Sequence, residues 1–353
     1  MDAVTVFSPA KINLFLAITG RRADGFHELV SVAAPLEFGD RLRVEATEPG
    51  ETGRGGGGSG DGEGVFSLEC TTPRTPDASS PNLPNEKIPP PPMPSPPPGE
   101  ANLILRAARA FRAASGWRGG AKFFLEKRIP VGAGLGGGSS NATATLRALN
   151  QLAARAGRGN HRAPLPDARL AELAAALGSD CALFLHDAPV VMRGRGEQIE
   201  PLPAETAQRL RGHRLLVFKP DASVPTAWAY ARMATLATPP PPPPAPPVYL
   251  PPPDAEARLR RWMTAPPGTA FFGLDTLLFN NMQPAAFAKF IALPVLLEKL
   301  RDNFRLPVMM SGSGSACFAL LPDTTDAATQ AGITGCIHAA WGRETFIVET
   351  KIR

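Results

Sequence analysis

Apolar and polar residues alternate along the chain with two periods, one typical of strands and one typical of helices. Residues 4–19 are rich in β-branched and aromatic side chains on both sides of a proline, which predicts two strands with a break at Ser8 and Pro9. Residues 40–46 alternate apolar with polar positions, as a half-buried strand does. Residues 101–115 instead repeat apolar side chains every three or four positions and predict a helix.

The same patterns continue to the C-terminus and predict a fold of the α+β class, with layers of helix and sheet. Helices are predicted from a glycine-rich stretch to about residue 156 and at 167–178, 281–289 and 294–304, and strands at 120–130, 213–220 and 344–352. Residues 188–202 have the pattern of an antiparallel hairpin, so the chain is not a plain β-α-β series. Because a new strand region opens after the hairpin, we expect an N-terminal domain at 1–205 and a C-terminal domain at 206–353.

Three segments lack apolar periodicity altogether. Residues 47–64 are mostly Gly, Glu, Thr and Ser, residues 71–99 are dominated by Pro, Ser and Asn, and residues 238–253 contain a run of prolines. Since none has enough apolar surface to offset the entropy of an ordered chain, we predict three disordered surface insertions. Proline-rich stretches also dock on aromatic grooves of partner proteins, but an insertion without a binding role is the simpler interpretation.

Charge, cysteine content and hydropathy narrow the classes of function. The net charge is +5 and dispersed, with 258–262 as the densest basic group, which suits an anionic small substrate at least as well as nucleic acid. No nucleic-acid-binding motif is present, and the four cysteines are too far apart for a CxxC metal or redox site. No apolar run reaches the roughly 18 residues of a membrane span. We therefore expect a cytoplasmic protein without nucleic-acid or membrane partners.

The most informative stretch lies between a predicted strand and a predicted helix. Residues 132–140 contain five glycines and two serines. Glycine permits positive φ and close approach, so successive N–H groups can converge on an anion at the positive end of the helix. The stretch is not a Walker A loop, because no lysine follows the glycines, and it lacks the downstream acidic residue of a Rossmann fingerprint. A phosphate cradle is the favoured interpretation, and a flexible turn with a serine cap is the alternative.

Three motifs together resemble the GHMP small-molecule kinases. Residues 130–142 (PVGAGLGGGSSNA) are similar to the phosphate loop of that family, and residues 8–16 and 309–320 are similar to its N-terminal and C-terminal motifs. The resemblance implies a two-domain fold, in which a ribosomal-protein-S5-like N-terminal domain and a ferredoxin-like C-terminal domain enclose the active site between them. It also implies phosphoryl transfer from ATP, accompanied by Mg²⁺, to an alcohol.

Two further motifs resemble those family members that phosphorylate a cytidine diphospho sugar alcohol at its C2 hydroxyl. These are residues 20–29 (GRRADGFHEL) and 177–185 (LGSDCALFL). Lys11 and Asp180 match the catalytic residues of the family, with Asp180 as the general base and Lys11 stabilising charge. From the residues alone, a helix-capping role is the simpler interpretation of Asp180, and a solvated strand edge is the usual place for a lone lysine.

The resemblance also assigns residues to the two substrates. Phe26 and Tyr230 are expected to stack on the cytosine and His27 to bind its edge, whereas core packing for Phe26 and a surface loop for His27 are the alternatives. Asn13 shares a strand face with Lys11 by the two-residue period, so it is expected to reach the same cleft and bind the substrate. A second glycine turn near the phosphates or the substrate comprises Gly312, Ser313 and Gly314. The implied ATP-binding residues are Pro130, Val131, Gly132, Ala133, Gly134, Leu135, Gly136, Gly137, Gly138, Ser139 and Ser140, with Asn102 and Lys127 near the adenosine. No protein ligand of Mg²⁺ is identified beyond a candidate role for Ser140.

Two other functions remain compatible with the sequence. One is a related kinase of a smaller alcohol such as homoserine or mevalonate, although such a substrate needs no aromatic and histidine clamp for a nucleobase. The other is a non-catalytic protein that binds a nucleotide or a partner, although such a protein needs neither Lys11 nor Asp180. We expect a monomer or a weak homodimer.

Overall fold

The computed structural model describes residues 2–48, 64–72, 97, 99–155, 164–238, 247–265 and 273–353. Within them the chain is α+β, with helices layered on two sheets. The strands are β1 (Ala3–Arg21), β2 (His27–Thr47), β3 (Phe66–Thr71), β4 (Gly120–Glu126), β5 (Val190–Arg193), β6 (Gln198–Pro201), β7 (Arg214–Lys219), β8 (Phe279–Asn280), β9 (Val308–Met310), β10 (Cys317–Leu320) and β11 (Phe346–Lys351). The helices are α1 (Leu103–Ser115), α2 (Gly137–Arg155), α3 (Asp167–Leu177), α4 (Ala204–Leu210), α5 (Thr226–Leu236), α6 (Pro252–Thr264), α7 (Leu274–Leu277), α8 (Gln283–Phe287), α9 (Ala292–Phe304) and α10 (Ala327–Trp341).

The larger sheet is built around the long antiparallel pair β1 and β2 and has the order β3-β4-β2-β1-β8, with the hairpin β5-β6 attached to β2. The predicted break at Ser8 and Pro9 is wrong, because β1 runs through both residues without interruption. The register between β1 and β2 is irregular from Pro9 to Lys11, and the Lys11 amide donates to the Leu135 carbonyl at 3.0 Å. A bulge of this kind lets a strand contain a proline that has no amide to donate.

Helices α1 and α2 pack on this sheet and α3 packs on these two helices, as their apolar spacing predicts. Phe111 of α1, Leu149 of α2 and Leu170 of α3 belong to one buried cluster with Leu42 and Phe123 of the strands. Burial of these faces holds the helices in place, since isolated helices of this length are marginal in water. The layer thereby holds the start of α2 beside the middle of β1, at Ser8, and beside the residues that follow β4.

The smaller sheet has the antiparallel order β11-β7-β10-β9 and shares its core with the larger one. Ile18 of β1 lies in the same buried cluster as Phe218 of β7 and Leu297 of α9. Phe15 of β1 likewise lies in one cluster with Phe318 of β10. Successive residues of a strand point to alternate sides, and β1 therefore contributes side chains to both of these buried clusters. The relative position of the two sheets is thus set by shared apolar packing.

The predicted insertions are too wide at their edges, while the middle of each lies outside the described residues. Thr47 ends β2 and Thr71 ends β3, so both are ladder residues of the larger sheet. At the third insertion the Leu250 amide donates to the Ile18 carbonyl at 3.0 Å, and Pro252 begins α6. Proline is compatible with the first turn of a helix because the amide there needs no intrahelical acceptor. Composition alone therefore overestimated disorder at these positions.

Other expectations concern charge, cysteines and domains. The basic group at 258–262 belongs to α6, whose Leu259 and Trp262 are buried, so it is one face of a packed helix. All four cysteines are free thiols.

The expected boundary after residue 205 falls inside α4, and β8 from the second half pairs with β1, so the division into two domains at that point stays a prediction. No helix among the described residues is long and apolar enough to span a bilayer.

Candidate functional site

A cleft of about 1230 Å³ is lined by residues from both halves of the chain. The predicted site residues that line it are Lys11, Asn13, Phe26, His27, Asn102, Lys127, Pro130, Val131, Gly132, Ala133, Gly134, Leu135, Gly136, Gly137, Gly138, Ser139, Asp180, Tyr230, Gly312 and Ser313. Two predicted residues, Ser140 and Gly314, do not line the cleft. Ser140 is buried, and a Cβ on Gly314 would lie 2.6 Å from the Met310 Sδ atom.

The glycine loop has the backbone conformation that its composition predicts. Gly134 and Gly136 have φ values of 76° and 73°, in the left-handed region that favours glycine. A Cβ on Gly134 would lie 2.6 Å from the Ser311 carbonyl oxygen, and one on Gly136 would lie 2.8 Å from the Phe184 ring. Within the described chain, the amides of residues 131–139 donate no hydrogen bond to another backbone carbonyl. These free donors at the start of α2 fit an anionic group such as the phosphates of a nucleotide.

A buried polar network supports the loop from behind, and its centre is Asp40, which the sequence analysis missed. The Asp40 carboxylate is fully buried and accepts hydrogen bonds from the Ile129 amide at 2.8 Å and the Asn141 side chain at 2.9 Å. It also pairs with the Lys127 ammonium at 2.5 Å. The carboxylate thus ties β2 to the residues just before the loop and to the first turn of α2. An aspartate at the start of an alternating strand gives no sequence signal for such a role.

Hydrogen bonds within the protein change the interpretation of three predicted ATP-binding residues. Lys127 lines the cleft, but its ammonium is bound to Asp40, and burial lowers the pKa of Lys127 while the Asp40 charge opposes the shift. Asn102 caps α1, since its side chain accepts from the Ile104 amide and donates to the Pro97 carbonyl, each at 2.9 Å. The Ser140 hydroxyl accepts from Ser8 at 2.8 Å and faces away from the cleft.

The predicted catalytic pair lies beside the loop. The Lys11 ammonium is 3.4 Å from an Asp180 carboxylate oxygen, and Lys11 is buried whereas Asp180 is about one-third exposed to the cleft. The Lys11 ammonium also donates to the Asn13 side-chain oxygen at 2.6 Å, as the shared strand face predicts. Asn13 in turn donates to the Ser31 hydroxyl at 2.9 Å. These contacts hold a cation next to an accessible carboxylate.

Two irregularities in β1, one on each side of the Lys11–Asn13 stretch, aim the side chains of these two residues at the cleft. The β1–β2 register shifts between Pro9 and Lys11 and again between Asn13 and Phe15. Such shifts re-aim side chains without ending the strand. Asp180 reaches the same place from the other side, in the turn between α3 and the short 3₁₀ helix Ala182–Leu185.

The second glycine turn forms the wall opposite β1. A Cβ on Gly312 would lie 3.5 Å from the Lys11 ammonium, so the turn passes close to the predicted catalytic pair. The Asn280 side chain donates to the Gly312 carbonyl at 2.8 Å and holds the turn in place. Ser313 shares a hydrogen bond of 2.9 Å with Thr226 at the start of α5, and Thr226 also lines the cleft. The sequence analysis found this turn but missed Asn280 and Thr226.

The far end of the cleft carries the predicted nucleobase clamp. Gly25 has a φ of 85° and the Phe26 amide donates to the Asp24 carboxylate at 3.1 Å, so these residues form a turn that exposes the Phe26 side chain but not that of His27. Phe26 is 53% exposed, so core packing is excluded for it. The Arg195 guanidinium lies over the Phe26 ring, 4.8 Å from its centroid, and also lines the cleft.

His27 is buried between aromatic rings rather than placed on an open loop. Its ring centroid is 4.8 Å from that of Tyr230 and 5.8 Å from that of Tyr249. Burial lowers the pKa of His27, and the nearby Arg21 charge adds to the shift. Burial raises the pKa of Tyr230, with the Asp180 charge as a second cause.

Comparison with known proteins decides the family. A family model described as the GHMP kinases N terminal domain matches residues 102–194. The 4-diphosphocytidyl-2-C-methyl-D-erythritol kinase of Desulfitobacterium hafniense is 32% identical over 326 residues, which cover 91% of this chain and 88% of that protein. This chain belongs to the 4-diphosphocytidyl-2-C-methyl-D-erythritol kinase family. A Synechococcus relative of the same name is 35% identical with the same coverage of both chains.

Solved structures agree with membership in this family. A crystal structure of a 4-(cytidine 5'-diphospho)-2C-methyl-D-erythritol kinase matches with a TM-score of 0.64 and 29% identity over 99% of each chain. A mevalonate kinase matches with a TM-score of 0.61 but 12% identity, which is a likeness of fold alone. The expected two-domain GHMP kinase fold is confirmed, and the chain is an ATP-dependent small-molecule kinase rather than a non-catalytic binding protein. The oligomeric state and the absence of nucleic-acid partners stay predictions.

We expect Gly134→Ala to raise the KM for ATP by about 10-fold, because a side chain at a φ of 76° costs about 1–2 kcal/mol and the new Cβ meets the Ser311 carbonyl. Steady-state ADP release at varied ATP concentration measures the effect. Gly335→Ala is the matched control, since Gly335 lies in α10 with no atom within 4 Å of the added Cβ. An unchanged KM for ATP in Gly134→Ala would show that the loop conformation is not needed for nucleotide binding.

Proposed function

We propose that the protein transfers the γ-phosphate of ATP to the C2 hydroxyl of 4-diphosphocytidyl-2-C-methyl-D-erythritol, in the non-mevalonate route to isoprenoid precursors. The observation that carries the proposal is the position of the Lys11–Asp180 pair, at 3.4 Å, in one cleft with the glycine loop and with His27 and Tyr230. The arrangement suits phosphoryl transfer from a nucleoside triphosphate to an alcohol that carries a nucleoside diphosphate group. The names of the relatives that share over 30% identity support the same substrate.

The chemistry assigned to this chain is proton removal and charge stabilisation. The Asp180 carboxylate takes the hydroxyl proton as the oxygen attacks the γ-phosphorus; the new O–P bond forms, the bond to the β-phosphate oxygen breaks, and ADP leaves. The Lys11 ammonium lies beside the attacking oxygen and offsets the negative charge that develops there. Asn13 and Ser31 hold the Lys11 ammonium in this position through their hydrogen-bonded chain.

The nucleotide end of the cleft is assigned to ATP. The free amides of residues 131–139 and the N-terminus of α2 are donors for its phosphates. We also propose that Mg²⁺ accompanies ATP, with phosphate oxygens as its main ligands. Among the described residues no group of three His, Cys, Asp or Glu side chains could hold a metal ion, and the Ser140 hydroxyl is bound to Ser8. This proposal therefore assigns Mg²⁺ no side-chain ligand among the residues that the structure describes.

The other end is assigned to the cytidylyl group. His27 supplies a hydrogen-bonding edge, the exposed Phe26 ring and the Tyr230 ring supply π-faces for the cytosine, and Arg195 supplies positive charge near them. A neutral His27 ring suits an uncharged base, which agrees with the lowering of its pKa by burial. The Ser313 and Gly312 turn then borders the sugar alcohol between the two ends.

The test is ADP release from ATP and Mg²⁺ with 4-diphosphocytidyl-2-C-methyl-D-erythritol, homoserine and mevalonate offered in separate reactions. We expect turnover with the cytidylyl compound alone, and phosphorus NMR of the product should show a phosphomonoester on the C2 oxygen. Turnover with only a small alcohol would retain the kinase and refute the substrate, and no turnover with any of the three would refute the proposal as a whole.

His27→Ala should raise the KM for the cytidylyl substrate by about 10-fold while the KM for ATP changes less than twofold, because removal of a buried hydrogen-bonding partner costs about 1–3 kcal/mol. The two constants come from initial rates with each substrate varied in turn. His338→Ala is the control, since His338 is a partly exposed residue of α10 outside the cleft. Equal increases in both KM values would contradict the clamp.

A further inference from the structure

Tyr249 follows the proline-rich insertion, and its backbone is anchored to β1. The Leu250 amide donates to the Ile18 carbonyl at 3.0 Å. The Asn281 side chain donates to the Val248 carbonyl at 3.0 Å and to the Ile18 carbonyl at 2.9 Å, and it accepts from the Ile18 amide at 2.8 Å. The segment around Tyr249 is therefore held on both sides by one asparagine and one strand residue.

This anchoring places the Tyr249 hydroxyl against the predicted base-binding histidine. The Tyr249 oxygen lies 3.2 Å from the His27 Nε2 atom, within hydrogen-bonding distance. Tyr230 packs against the same imidazole, with ring centroids 4.8 Å apart. The chain contains two tyrosines in all, and both contact His27. Tyr249 does not itself line the cleft, so it acts on a ligand only through His27.

We propose that Tyr249 is a positioning residue whose hydroxyl donates a hydrogen bond to His27 Nε2 and so keeps the ring hydrogen on Nδ1. A neutral imidazole has one donor and one acceptor nitrogen, so a partner that donates to Nε2 leaves Nδ1–H as the donor. The pairing edge of cytosine presents a carbonyl oxygen and a ring nitrogen that both accept hydrogen bonds. A hydrogen-bond donor fixed at His27 Nδ1 therefore favours cytosine over a base whose pairing edge presents an N–H donor where cytosine has an acceptor. This inference rests on the proposed function for its ligand.

The surroundings of His27 keep the imidazole neutral, which this arrangement requires. The charged or titratable groups near the ring are Arg21 of β1, Tyr230 of α5 and Tyr249. Arg21 opposes a positive charge on the ring, and burial acts in the same direction. Burial also raises the pKa of Tyr249, so its hydroxyl stays protonated and can donate the hydrogen bond.

Tyr249→Phe tests the role because it removes the hydroxyl and keeps the ring that packs on His27. We expect the KM for the cytidylyl substrate to rise about 3- to 10-fold, the range for loss of one hydrogen bond, with kcat and the KM for ATP unchanged. Thr264→Val is the matched control: it removes an exposed hydroxyl at the end of α6, which bonds to the Arg260 carbonyl of the same helix. A kcat effect, or an equal effect on both KM values, would overturn the positioning role.

Two further measurements separate positioning from a merely structural effect. In a His27→Gln background, Tyr249→Phe should cause no further change in the KM for the cytidylyl substrate, because its effect passes through the imidazole. Nitrogen-15 NMR of the full chain with labelled histidines, His27 being assigned by its loss in His27→Gln, should show the Nδ1–H tautomer. Tyr249→Phe should convert this signal to a mixture of tautomers. An Nε2–H tautomer in the unsubstituted protein would overturn the proposal.

The same experiments distinguish failure of this inference from failure of the proposed function. The NMR measurement needs no substrate, so it decides the Tyr249–His27 hydrogen bond even if the cytidylyl compound is not turned over. If the compound is turned over but Tyr249→Phe leaves its KM unchanged, the proposed function stands and the positioning role is refuted.

Discussion

Asp180→Asn should lower kcat by about 10²- to 10⁴-fold, the range that a positioned general base contributes, while the Kd for ATP stays within twofold of the unsubstituted value. The amide keeps the size of the carboxylate but cannot accept the hydroxyl proton. Asp180 is accessible from the cleft and 3.4 Å from Lys11, so the substitution removes a reacting group without opening a cavity. Single-turnover phosphorylation gives the rate, and titration with a fluorescent ATP analogue gives the Kd.

The control for this prediction is Asp187→Asn, in the segment that follows the same 3₁₀ helix. Asp187 is more than half exposed, pairs with Arg147 at 3.5 Å and does not line the cleft. Exposed pairs of this kind contribute little to stability, so we expect kcat and melting temperature near those of the unsubstituted protein. Unchanged turnover in Asp180→Asn would refute the assignment of the base and leave the phosphoryl transfer to be explained by substrate positioning alone.

Lys11→Met should lower kcat by about 10²- to 10³-fold with a smaller effect on either KM, because loss of one preorganised charge at a developing anion has this cost. Methionine fills much of the space of the lysine side chain, which packs near Gly136, and thereby limits disturbance of the loop. Steady-state rates at varied concentrations of both substrates provide the two kinetic constants.

Lys122→Met is the matched control, since Lys122 is an exposed strand residue of β4 and lies outside the cleft. It should leave kcat and both KM values unchanged. An effect of Lys11→Met on KM alone would contradict the role assigned to Lys11, since a charge that binds the ground state and the transition state equally does not accelerate the reaction. A fall in melting temperature without a fall in kcat would make Lys11 a structural residue.

Local sequence patterns predicted elements better than they predicted contacts. The spacing that predicts a helix over residues 101–115 corresponds to α1, and Asn102 takes the cap position that precedes it. The two-residue period correctly puts Lys11 and Asn13 on one face of β1. Proline at position 9 was misleading, because a register shift that involves a second strand lets the strand continue through it. Local propensity is overridden wherever a long-range ladder compensates for a missing donor.

The predicted clamp shows the same limit at the level of side chains. Motif similarity selected Phe26, His27 and Tyr230, and all three line one cleft. It could not select Tyr249, which directly follows the proline-rich insertion, or Arg195, which reaches Phe26 from the turn between β5 and β6. Composition assigned residues 247–253 to a disordered insertion, whereas hydrogen bonds to Ile18 and Asn281 order them.

The sequence by itself determined the family and the glycine loop with its conformational demands, and it selected Lys11 and Asp180 as the candidate catalytic residues. These follow from motifs and from local backbone geometry, which depend on neighbouring residues. Only the tertiary structure decided that Asp40 supports the loop from a fully buried position and that Tyr249 contacts His27. The physical reason is that buried charges and hydrogen-bonded pairs are stable only where distant segments supply their partners, and no local pattern records which segments those are.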